Sequence, residues 1–258
     1  MTTRFLILLL TIGSVAFSQA PARQITKVVS SATGTTDVAP GSVAIIYGIG
    51  LSDAAEAASQ LPLPTELGGI SVTISDANHS AQAQLLYASP SQINMVVPPD
   101  FQSGNPSIAI ASQDLTYANS TITIATVQPV IFTADGSGTG AAAGFAVRSV
   151  LSNHLQGLVS TYSCDRTGSA CTPIPLNVGI DAPLTLVLFG RGIRDAANVT
   201  ATIGGKPATV SFAGAQPQFP GIDQVNLPLG LNLRGAGTVE VVVTVDGKAS
   251  NPVQIAIQ

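Results

Sequence analysis

Apolar and polar residues alternate with a period of two along most of this chain. Ile70, Val72 and Ile74 interleave with Ser71, Thr73 and Ser75, and Val239, Val241, Val243 and Val245 recur at the same spacing. Positions i, i+2 and i+4 line one face of a strand, so each run buries one side and wets the other. The runs are short and are broken by Gly, Pro, Asn and Asp. That pattern predicts an all-β chain of two-sheet antiparallel sandwiches. The one helix-like patch, Asp53 to Gln60, runs straight into a proline-rich stretch and is expected to form at most one helical turn.

The strands come in two copies. "AIIYGIGLSDA" (Ala44–Ala54) and "LVLFGRGIRDA" (Leu186–Ala196) share an apolar run, an aromatic, Gly-x-Gly and Asp-Ala. Each is followed by two alternating strands, an irregular proline-containing stretch and a strand opening Gln-x-Asn: Gln92 and Asn94 in the first copy, Gln224 and Asn226 in the second. Each copy closes on a hairpin, and Asp246-Gly247 is a strong tight-turn signal in the second. This is a duplication at domain scale. It predicts sandwiches over residues 19–128 and 129–258, with Gly48 matching Gly190 and Asn94 matching Asn226. A hairpin elaboration is expected over about 141–177, with a flexible hinge confined to about Gly136–Gly140.

A strand running into Gly-x-Gly also opens dinucleotide-binding loops. That fingerprint needs a third glycine three residues on and a helix behind it. Here the third position is Asp53 or Asp195, and no long helical pattern follows. Gly48, Gly50, Gly190 and Gly192 are therefore read as turn residues closing a core strand, where positive φ or close backbone approach excludes a side chain. No cofactor is expected.

The order of motifs carries a resemblance. Ala39-Pro40-Gly41-Ser42, the strand into Tyr47-Gly48, "PLPTELGG" and "LLYASPSQINMVVP" through Pro98 resemble the Solibacter-type uncharacterised C-terminal domain family of secreted acidobacterial proteins. "LVLFGRGI", "TIGGKPATVSFAGAQ", "GIDQVNLP" and "VVVTVDGKASNPVQI" resemble the second half of that pattern, so nearly all of the chain beyond its N-terminal segment is covered. The units are also similar to IPT/TIG domains, immunoglobulin-like sandwiches used for binding and spacing. The resemblance implies fold and export, and supplies no catalytic residue.

Export is also written at the N-terminus. A basic start at Arg4, an apolar run from Phe5 to Phe17 and small residues at Ser18 and Ala20 describe a signal peptide, read as residues 1–18. The run is shorter than the ~20 apolar residues of a spanning helix, so the mature chain is expected to be secreted, periplasmic or at the cell surface. Cys164 and Cys171 flank a polar Gly-containing turn, which places them for a hairpin disulfide worth about 2.5 kcal/mol by loop entropy. A metal site would want two more ligands, and a redox motif two intervening residues rather than six. With a net charge of −4 and ten scattered Lys and Arg, the 258-residue chain offers no basic face for nucleic acid.

Candidate chemistry is sparse. His79 and His154 both fall in turns, and there is no G-x-S-x-G elbow. The acids fall mostly in turns such as Asp76, Asp135 and Asp246, where Asp shapes the backbone. The Gln-x-Asn amides share a strand face, and are read as structural groups bonding the backbone of the irregular loop beside them. Arg191 and Arg194 have no counterpart charges in the first copy; they suggest a small anion site or, more simply, exposed arginines pairing with Asp195 or water. Tyr47 and Tyr87 are expected in the core, and three sequons, Asn78, Asn119 and Asn198, matter only in a host that glycosylates them. The reading is an exported, non-enzymatic binding, adhesion or structural module with a protein or cell-envelope partner. The alternative is an extracellular hydrolase with a carboxylate site at the domain boundary.

Overall fold

The computed structural model describes residues 23–113, 115–125, 127–150, 152 and 154–258. The expected signal peptide, 1–18, lies outside them. The chain is all-β, with two sandwiches in tandem around two separate cores, one drawn from Val28 to Ile124 and the other from Ile131 to Ile257. Among the described residues the helical element is a single 3-10 turn, Leu231–Leu233, so no helix is long and apolar enough to cross a membrane.

The main strands of the first sandwich are β1 Gln24–Ser30, β2 Val43–Ile49, β3 Ile70–Ser75, β4 Gln84–Ala88, β5 Gln92–Val96, β6 Ser107–Ser112 and β7 Leu115–Thr121. One sheet runs β1-β2-β5-β4, and the facing sheet runs β7-β6-β3. Those of the second are β8 Val130–Ile131, β9 Gly144–Val150, β10 Leu155–Ser160, β11 Leu184–Arg191, β12 Val199–Ile203, β13 Phe212–Ala215, β14 Asp223–Leu229, β15 Gly237–Val245 and β16 Val253–Ile257. Its sheets run β10-β9-β11-β14-β13 and β16-β15-β12. The period-two stretches do what their spacing predicts. Ile70, Val72 and Ile74 are buried and their polar neighbours are half-buried, and Val241, Val243 and Val245 likewise face the core.

The duplication holds at the level of strand register. In the first copy Gln92 lies opposite Tyr47 and Asn94 opposite Ile45; in the second Gln224 lies opposite Phe189 and Asn226 opposite Val187. The copies differ at the edge. Strand β1 pairs β2 over its length, whereas β11 receives first β8 and then, beyond a loop, β9, which in turn carries the added strand β10. Downstream, Tyr162–Cys164 pairs Cys171–Pro173, and Cys164 is disulfide-bonded to Cys171 across that turn.

Three expectations need correction. Residues 53–60 form no helical turn: Glu56–Ala57 is a short strand on Tyr87 and Ala88, fixed by the Glu56 carboxylate accepting the Gly68 amide at 2.8 Å. Alanine propensity yields there to an edge in need of a partner. The 136–140 glycines are no hinge. The loop is closed within the second sandwich by the Thr133–Ala142 bridge, and Gly138 is held through Thr133 Oγ1 and Asn251 Nδ2. Tyr47 and Tyr87 are half-buried rather than core, and Lys27 Nζ sits 4.9 Å above the Tyr47 ring.

The four repeat glycines divide between two physical causes. Gly48 and Gly190 lie within strands, where a Cβ would overlap the carbonyl oxygens of Gln24 and Val130 respectively; Gly50 and Gly192 take φ of +61° and +69°. Gly190→Ala must therefore push β8 off β11, at a cost of about 1–3 kcal/mol or more. Urea denaturation should show that loss. A loss no larger than that at the open Gly157, where an added Cβ meets nothing within 4 Å, would contradict it.

Candidate functional site

The second Gly-x-Gly turn is where polar chemistry gathers. Strand β11 ends in Arg191, and the positive φ of Gly192 sends the chain away to Ile193 and Arg194. Asp223, the first residue of β14, pairs with Gly190 across the ladder and so lies beside that turn. Arg191 and Asp223 are each only 1% exposed. Asp223 Oδ2 accepts the amides of Ile193 and Arg194 at 2.8 and 3.2 Å, Oδ1 accepts Arg194 Nε at 2.5 Å, and Arg194 Nη2 donates to the Ile222 carbonyl at 2.9 Å. Burial pushes the Asp223 carboxyl above its usual range, while Arg194 and the two amides pull against that shift.

The same turn is the joint with the first sandwich. The Arg194 guanidinium lies over Gly41, whose φ is +67° and whose missing Cβ leaves the space it occupies. Gly221 approaches Val43 and Val96 in the same way, and Arg191 Nη2 donates to Thr33 Oγ1 at 3.3 Å. Burial lowers the Arg191 pKa, opposed by the charges of Asp223 and Asp37, and its Nε and Nη1 are buried without a hydrogen-bond partner among the described residues. Of the two arginines expected at the surface, Arg191 is thus buried and Arg194 half-buried. Arg194 pairs with Asp223, not Asp195, because the turn folds back over β14.

Asp223 escaped the sequence reading, although a signal for it existed. In the first copy the positions of Arg191, Arg194 and Asp223 are held by Ile49, Ser52 and Ser91. There the turn amide of Leu51 is satisfied by the Pro90 carbonyl at 3.0 Å, the job that Asp223 does for Ile193. The second copy has exchanged a backbone acceptor for a carboxylate, which also grips Arg194. Three charges gained together at one turn mark the face that meets the other repeat.

Gln92 Nε2 donates to Asn94 Oδ1 at 2.8 Å, and Gln224 Nε2 to Asn226 Oδ1 at 2.8 Å. The amides bond each other along the strand in both copies, rather than the loop backbone expected. His79 is exposed and meets Phe101 edge-on, with ring centres 4.9 Å apart; His154 is an exposed turn residue with φ +56°. Asp76 and Asp135 accept backbone amides in their own turns, whereas Asp246 accepts those of Ala197 and Asn198 across the sheet end. The sequon residues Asn78, Asn119 and Asn198 are exposed. Among the described residues no cluster of three His, Cys, Asp or Glu side chains is arranged to hold a metal.

Beside the joint, a cleft of about 360 Å³ opens between the turn after β1 and the start of the second sandwich. It is lined by Ser31, Ala32, Val130, Ile131, Phe132 and Thr133, with small residues of the 136–143 segment. Its described lining is mostly apolar with two hydroxyls, and the nearby carboxylate, Asp223, is occupied by N–H donors on both oxygens.

No protein-family model and no curated protein matches the chain. A tandem pair of immunoglobulin domains from titin is similar over 86% of this chain and 91% of that one, at 10% identity and a TM-score of 0.26.

Two ion pairs separate structure from ornament. Asp223→Ala leaves Arg194 and two turn amides without their acceptor, and should cost about 3–5 kcal/mol. Asp53→Ala breaks the pair with Arg23, in which Asp53 is 80% exposed, and should cost under about 1 kcal/mol. Chemical denaturation of both variants checks the ranking, and equal losses would contradict it.

Proposed function

We propose that this chain is an exported, non-enzymatic module: two immunoglobulin-like sandwiches of IPT/TIG character, fixed in relation to each other, that bind or space a protein or cell-envelope component. The observation that carries the reading is the use made of the buried charge. Arg194 and Asp223 are committed to the turn and to the contact with Gly41, and Arg191 reaches Thr33 through Nη2, so these buried polar groups serve the joint between repeats. A rigid tandem is what a spacer or a presenting scaffold requires. Enzymes place groups of that kind in an open pocket instead.

The finer assignment, to the Solibacter-type family, rests on the ordered motifs from Ala39 to Pro98 and from Leu186 to Ile255. Export rests on the signal-like residues 1–18, and the Cys164–Cys171 disulfide fits an oxidising compartment.

The mature chain should show no turnover on esters, glycosides, peptides or phosphate esters. It should retain binding to native envelope material, within about tenfold, when His79 or His154 is replaced. Hydrolysis abolished by a single replacement of His79, His154 or an acidic residue, with thermal stability unchanged, would overturn the reading in favour of the hydrolase.

A further inference from the structure

Sheet edges distinguish one strand from all the others. An edge strand presents a row of free N–H and C=O groups, and proteins blunt it with charge, proline, bulges or brevity. Most described edges here are blunted in this way. Strand β1 carries Lys27 and a register shift between Ile25 and Lys27, and β7 sits across a register shift from β6. Glu56–Ala57 and Glu66–Leu67 are two residues long and acidic, Lys206–Ala208 holds a lysine and a proline, Pro175–Leu176 starts with proline, and β13 has four residues.

Strand β10 has none of these devices. Its six residues, Leu-Gln-Gly-Leu-Val-Ser, carry no charge and no proline, and pair with β9 through six consecutive partners without a shift. Its far side has no strand partner among the described residues. Leu158, on the face away from the core, is 77% exposed, while Val159 turns inward onto the core of the second sandwich. The first sandwich has no equivalent of β10, so the duplicated fold does not require it. It is an addition that ends in an open edge.

From this geometry we infer that β10 is a homodimer interface, pairing antiparallel with β10 of a second copy to make one sheet continuous across a two-fold axis. The chemistry of the edge selects an extended backbone as its occupant. Neutrality selects a second copy: a two-fold here opposes no like charges, whereas the same pairing through β1 would bring Lys27 near its own symmetry mate. Faces are preserved across such an axis, so only registers centred on a single residue are allowed. Centred on Leu158, the exposed leucine meets its symmetry mate; centred on Gly157, it meets Gln156 of the other copy. In both, an exposed side chain is covered and the outward backbone groups within Gln156–Ser160 gain ladder partners.

Sedimentation velocity on the mature chain over a concentration series tests this. The expected result is a reversible dimer. Gln156→Lys with Leu158→Lys places lysine opposite lysine in either register, and should raise the dimer dissociation constant by at least about tenfold. Both positions are exposed, so the melting temperature should not move at concentrations dilute enough for both forms to be monomeric. Because neither native cysteine is free, a single Gly157→Cys or Leu158→Cys supplies the only thiol. One of the two should give a covalent dimer with a short bismaleimide, and which one reports the register. A monomer throughout, a dimer indifferent to the lysine pair, or no cross-linking of either variant would overturn the inference. So would a monomer that captures an unrelated strand.

Discussion

The buried carboxylate of Asp223 is the interaction on which the arrangement of this molecule rests. It does two jobs that the first repeat assigns elsewhere: it satisfies the amides of the Gly192 turn, and it orients Arg194 so that the guanidinium can lie over Gly41. A buried ion pair is a poor source of net stability, since desolvation offsets most of the attraction. Its value here is geometric. An arginine fork held by a carboxylate and a backbone carbonyl has one orientation, and the surface that it meets, from Gly41 to Val43, has glycine where a side chain would interfere. The joint is thereby specified at both ends.

Much of the rest follows from duplication. Two copies of one sandwich solve the same local problems with the same residues: a strand glycine where backbones approach, a second glycine at positive φ, and a Gln-to-Asn side-chain bond two residues apart on the neighbouring strand. Where the copies part, the differences have physical uses. The first copy keeps Ser52 and Ser91 at its turn, where the Pro90 carbonyl accepts the Leu51 amide. The second carries charge there, and also replaces one edge strand with β8, a clasped loop and the β9–β10 hairpin.

The sandwiches were legible because period-two burial is a strong local signal, as at Ile70–Ile74, and because repeated motifs align the copies without any knowledge of contacts. The hairpin disulfide was legible from its turn. What the sequence concealed depends on distance in the chain. Nothing local marks Asp223 as the partner of Arg194, some thirty residues away, and glycine enrichment at 136–140 reads as a linker until Thr133 and Asn251 are seen to clasp it. The Asp53–Gln60 segment misled for a related reason. Its alanines favour a helix, but the open side of β4 supplies a better partner for the backbone at Glu56–Ala57.

Calorimetry tests the central claim that the Arg194–Asp223 joint makes one unit of two repeats. If it does, the mature chain unfolds in a single transition whose calorimetric and van't Hoff enthalpies agree, and Asp223→Ala separates that transition into two. Two independent transitions in the unaltered chain, at positions that Asp223→Ala leaves unchanged, would contradict it.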